Sequence, residues 1–70
     1  MEGYFAATNS DLFMKVHKVL NVNRSTGKIK MKVTCFYKSS GNICDYITPL
    51  GNTDLTLDYN VVKHWKRYKK

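Results

Sequence analysis

Lys28-Ile29-Lys30-Met31-Lys32-Val33 alternates strictly between charged and apolar residues. A β-strand sends successive side chains to opposite faces, so Ile29, Met31 and Val33 share one side and three lysines share the other. A helix cannot make that separation, because it brings residues three and four apart onto one face. The run is therefore a strand with one face against a core, and its neighbours in the chain must supply its partners.

Upstream, residues 10–22 fit two patterns. Leu12, Phe13, Val16, Val19 and Leu20 match a helical stripe, with Asn9 or Ser10 as cap and Asp11 in the first turn. As a strand, Met14, Val16, Leu20 and Val22 share a face, and Lys18 is the exception. Pairing favours the strand. Folding residues 13–23 back on 28–38 around Arg24-Ser25-Thr26-Gly27 sets Val22 against Ile29, Leu20 against Met31, Val16 against Cys35 and Met14 against Tyr37. The other face then holds Asn23–Lys28, Asn21–Lys30, His17–Thr34 and Phe13–Lys38. One register gives one apolar and one mostly polar face, as a half-buried antiparallel pair requires. Gly27 supplies the positive φ such a loop uses.

Downstream, Ser39-Ser40-Gly41-Asn42 is a second turn. It sets Tyr37 against Cys44 and Cys35 against Tyr46, which makes the two cysteines diagonal neighbours and leaves them as buried, reduced thiols. Pro49 ends that strand, and Gly51-Asn52-Thr53 turns the chain again. Leu55, Leu57, Tyr59 and Val61 alternate, giving a fourth strand across 54–59. A short turn near 59–62 leads to a final strand at 63–68. Residues 1–9 show no period and read as an N-terminal arm, while 10–70 form a single small β domain with a basic C-terminal end. The expected fold is mainly β: a small, strongly bent antiparallel barrel of four to five strands, SH3-like. The alternative, with 10–22 and 59–68 helical, is α+β with a three-stranded meander and terminal helices.

Composition narrows the function. Seventy residues make one domain, and a domain of that size buries only about 60% of its unfolded surface. Little room remains for a deep cleft, so no enzyme is expected. The histidines, His17 and His64, have no partner pattern, and no two of Glu2, Asp11, Asp45, Asp54 and Asp58 share an acid/base spacing. Cysteines and histidines at 17, 35, 44 and 64 lack metal-ligand spacing, and no Gly-rich phosphate loop is present, so neither metal nor cofactor is expected. Two cysteines, no leader-like start and no apolar run of membrane length point to the cytoplasm and away from membranes. Ten Lys against two Arg fits an AT-rich coding sequence, viral or low-GC bacterial, and hence a host cytoplasm if viral.

Charge carries the functional signal. The net charge is +7 and the pI about 9.6, which suits an acidic partner. Lys28, Lys30 and Lys32 stand about 7 Å apart along one face, with His17 opposite and Lys15 near Phe36. Such a row can track a phosphate backbone, with Phe36 either stacking a base or packing under the arm. Lys63, Trp65, Lys66 and Arg67 repeat the mixture of bases and ring, with Trp65 also able to cover the end of the barrel. Lys dominance over Arg argues against bidentate reading of guanine. The expected function is a non-enzymatic basic domain that contacts the nucleic-acid backbone, DNA or RNA, with little sequence selectivity. The alternative is a protein-interaction module, such as a phage-type inhibitor docking on an acidic surface through Phe13, Phe36, Ile43 and Ile47. A homodimer is compatible with either.

Overall fold

The computed structural model describes residues 1–69; Lys70, the last residue of the basic end, lies outside them. Five strands are present: β1 (Gly3–Ala6), β2 (Leu12–Asn23), β3 (Lys28–Tyr37), β4 (Thr53–Asp58) and β5 (Lys66–Arg67). One helical turn, α1 (Tyr59–Val62), joins the last two. All strand pairs are antiparallel, and the order across the sheet is β4-β3-β2-β1-β5. The chain is mainly β, and the α+β alternative falls because residues 12–23 are strand. The expected barrel does not close. β4 and β5 are the edges of an open sheet, and no ladder joins them among the described residues.

The expected register of β2 on β3 holds only near the hairpin. Asn23 opposes Lys28, Val22 opposes Ile29 and Asn21 opposes Lys30. Beyond that point the pairing slips twice, between Val19 and Asn21 and between Val16 and Lys18. Leu20 and His17 are the extra residues, one at each bulge. Val19, not Leu20, therefore opposes Met31; Val16 opposes Val33, Met14 opposes Cys35, and Phe13 opposes Phe36. The physical reason is Lys18. An unbroken strand would turn Lys18 into the core, whereas a bulge on each side keeps it exposed and sends Val19 and Val16 inward. Bulges also bend the strand, which curves the sheet around its apolar face.

That inner face holds Phe5, Val16, Ile29, Met31 and Val33, closed by Val62 of α1, with Met14, Val19, Leu55, Leu57 and Trp65 packed against them. The segment expected as an arm supplies β1, which lies between β2 and β5. Phe5 is buried in the core while Tyr4 stands on the opposite face, so four residues anchor both layers.

The strand expected after the second turn shrinks to a single bridge, Phe36 to Ile43. Cys44 N–H donates to the Cys35 carbonyl at 2.7 Å, so the cysteines lie opposite each other and not diagonally. Thr48 explains why pairing stops. The Cys44 carbonyl, which a ladder would offer to Cys35 N–H, instead accepts from the backbone N–H of Thr48 at 2.9 Å and from its hydroxyl at 3.1 Å. Cys35 N–H turns to the Thr48 oxygen at 3.3 Å. A short hydroxyl has replaced a ladder bond and curled the chain into a loop.

Candidate functional site

The alternation in β3 leaves Lys28, Lys30 and Lys32 exposed on the face away from the core. β4 sets Asp58, Thr56 and Asp54 opposite them in turn. Lys28 Nζ meets Asp58 Oδ2 at 3.1 Å, the only ion pair among the described residues. From the other side, β2 brings Lys18 directly opposite Lys32 and Lys15 opposite Thr34. Like charges facing each other across a ladder are destabilising. The alternation of the sequence does not place Lys18 on this face, because only the bulges turn it outward. Their signal was already in the sequence, as a lysine in an otherwise apolar phase.

His17 sits at its bulge with Nε2 2.7 Å from the Thr34 hydroxyl, a bond that orients the ring beside this face. Lys15 Nζ lies 5.7 Å from the centre of the Tyr4 ring. Lys66 pairs with Ala6, which places it on the same face. The structure thus collects Lys15, His17, Lys28, Lys30, Lys32, Phe36 and Lys66 on one surface, and adds Lys18.

Aromatic rings underlie one end of this surface. Phe13 stacks on Phe36 with centroids 5.0 Å apart and on Tyr68 at 4.4 Å, both nearly parallel. Tyr4 meets Phe13 at a tilt, 6.1 Å away, and Lys38 lies 5.6 Å over Tyr68. Phe13 is only 2% exposed in consequence. Phe36 therefore packs against the chain's own rings, at the same level as the N-terminal strand. Phe13 is no docking anchor. Of the other anchors expected for a partner, Ile47 is half-buried and Ile43 is exposed. The open apolar side chains on that loop are Tyr46 at 90% and Leu50 at 91% exposure.

Trp65 and Arg67 do not join the lysine face. Trp65 packs on the core and, with Phe5, Ala6, Ala7, Ser10, Leu12 and Met14, lines a cleft of about 70 Å³. Drug-sized ligands need several hundred Å³. The Arg67 guanidinium lies 5.0 Å over the Phe5 ring and donates to the Glu2 carbonyl at 3.3 Å. Lys63 is exposed at the end of α1, where its N–H donates to the Tyr59 carbonyl.

Cys35 is fully buried; that burial and then the neighbouring Cys44 push its thiol up to about 11, so it stays protonated at neutral pH. No three His, Cys, Asp or Glu side chains converge as a metal site among the described residues. Among the described residues no helix is long and apolar enough to cross a membrane. What the surface offers is exposed and half-exposed ammonium groups on one face of the sheet. Searches against protein-family models, curated proteins and solved structures return no match to this chain.

Proposed function

We propose that this chain is a non-enzymatic binding domain that grips nucleic acid through its sugar–phosphate backbone, with little sequence selectivity. The observation that carries the reading is Lys18 facing Lys32 across the ladder, with Lys30 and Lys15 nearby and exposed or half-exposed. Opposed like charges cost stability, and an anion seated between them offsets that cost. Lysine heads are point charges without the fork that reads guanine, which supports weak selectivity. The bent antiparallel order β4-β3-β2-β1-β5 supports the finer SH3-like reading as a barrel left open at one seam. Buried free thiols at Cys35 and Cys44 support action in a reducing cytoplasm.

The test is the anisotropy of a labelled oligonucleotide titrated with the protein across a range of salt. Four phosphate contacts give a log–log slope of about −3 to −4. Lys30→Glu combined with Lys32→Glu should abolish binding and leave folding intact, since both side chains are exposed. A flat salt response, or full affinity in the double variant, would show that this face is not the site.

A second reading has its own observation. Tyr46 and Leu50 project from a loop whose base, Cys44 and Thr48, is buried. Exposed apolar side chains clustered in this way can anchor a protein partner. A pull-down repeated after nuclease digestion separates the two readings. A stoichiometric protein that survives nuclease and is lost with Tyr46→Ser and Leu50→Ser favours the second.

A further inference from the structure

We infer that the ligand of the lysine face is a double-stranded nucleic acid and not a single strand; this rests on the nucleic-acid reading above. Single-strand binders hold bases on open aromatic rings beside a basic track. Here the rings on the basic face are already engaged. Phe13 has a ring on each side, Phe36 at 5.0 Å and Tyr68 at 4.4 Å. Lys38 lies over Tyr68, and Tyr4 carries both the tilted contact to Phe13 and the Lys15 ammonium. Trp65 faces the core. The exposed aromatics, Tyr46 and Tyr59, belong to the loop after β3 and to α1, not to the strands that carry the lysines. On the basic face Phe13 is thus buried and Tyr4, Phe36 and Tyr68 are half-buried, so no fully exposed ring stands there to receive a base.

What remains is a surface for backbone alone. Two residues of a strand advance about 6.8 Å, and a duplex strand turns about its axis while rising about 3.4 Å per nucleotide, so its successive phosphates stand well beyond that rise. Lys30 and Lys32 can thus meet neighbouring phosphates of one strand. Lys18 and Lys32 stand on neighbouring strands, about 4.8 Å apart, close enough to share one phosphate. Asn21, Asn23 and Thr56 flank the row, and neutral groups of this kind bond backbone oxygens without reading sequence. A duplex presents its backbone and hides its bases, which is the partner such a surface fits. Each base stack the rings do not make forgoes roughly 5- to 150-fold in affinity for a single strand.

The experiment compares one short DNA duplex, the RNA duplex of the same sequence and each separate strand, by anisotropy at two salt concentrations, with intrinsic Tyr and Trp fluorescence recorded alongside. The expected result is that one or both duplexes bind at least about fivefold tighter than the strands, with ring emission unchanged. Lys30→Ala with Lys32→Ala should reduce the duplex salt slope by about 0.9 to 1.8, the lower figure applying if Lys18 alone still holds the phosphate it shares with Lys32. Single strands that bind as tightly as duplexes, with quenched emission and a loss on Phe36→Leu, would overturn the inference and leave the basic face as a nucleic-acid site. Failure of every duplex and every strand to bind would overturn the underlying reading, and the duplex inference with it.

Discussion

Phe13 is 2% exposed although it stands on the face of the sheet opposite the core. It is the middle ring of a stack drawn from β3 and from the chain just past β5. Truncating a buried Phe to Ala costs about 3–5 kcal/mol, and a domain of this size holds only about 3–5 kcal/mol in total. Phe13→Ala should therefore be largely unfolded at 25 °C by circular dichroism. Phe13→Leu, which keeps most of the volume, should fold with a lowered urea midpoint. Equal midpoints for wild type and Phe13→Leu would mean that the ring stack contributes little. Cys35 gives a second residue-scale expectation. Its folded pKa, about 11, lies above the unfolded thiol value near 9. The native state therefore holds a proton that the unfolded chain releases first, so stability present below pH 9 falls as pH rises from 9 to 11. Urea midpoints at pH 8 and pH 10.5 should show that fall in the wild type and a smaller one in Cys35→Ala. Phe13 was legible as an outward-facing residue. Its burial was not, because the rings that cover it come from Tyr4 and Tyr68, at opposite ends of the chain.

Thr48 decides an element. Its hydroxyl stands in for a ladder bond between Cys35 and Cys44, and it is fully buried in doing so. Thr48→Val keeps the shape but leaves Cys35 N–H without a partner, at a cost of about 1–3 kcal/mol. Thr48→Ser should recover most of it. Hydrogen exchange at the Cys35 amide should accelerate in the valine variant and recover in the serine one; unchanged exchange in both would remove the hydroxyl from the account. This substitution of side chain for backbone is why the strand expected over 43–48 is absent. Composition favours pairing there, and nothing in one sequence shows that a threonine further on will claim the carbonyl. The element boundaries elsewhere were readable from local signals. Lysine alternation marks β3, Leu55 and Leu57 mark β4, and the turn expected near 59–62 is α1, while the final strand expected at 63–68 shrinks to Lys66–Arg67. β1 escaped because four residues, with Gly at one end and Ala at the other, are too few to show a period. The β2 register escaped beyond Asn21 because period-2 pairing assumes an unbroken ladder. Lys18, out of phase with its apolar neighbours, was the one local sign that the ladder breaks.

At the scale of the molecule, net charge and its placement point in different directions for stability and for binding. The whole chain carries +7, and residues 39–58 contain three aspartates and no Lys or Arg. Two of those aspartates, Asp54 and Asp58, lie along the outer flank of the lysine row on β4. Asp54 stands opposite Lys32 itself without forming an ion pair, and it tempers that edge of the row, while on the other side Lys18 faces Lys32 with no acidic partner across the ladder. The excess of base was legible from composition, and so was one charged face of β3. The opposed pair was not, since it exists only once two bulges have reset the register. This pair yields the sharpest expectation, because stability and affinity should move in opposite directions. Lys18→Thr removes a like-charge contact and installs a good strand former, so it should stabilise the fold by about 0.2–1 kcal/mol. It should also weaken nucleic-acid binding and lower the salt slope by less than about 0.9, because Lys32 stays on the phosphate the pair shares. Urea denaturation and salt-dependent anisotropy on the same variant decide the matter. A residue kept only for solubility would show neither change, and a residue kept for folding would lose stability on replacement. Gain in one measurement with loss in the other is the signature of a surface held at a cost for its ligand.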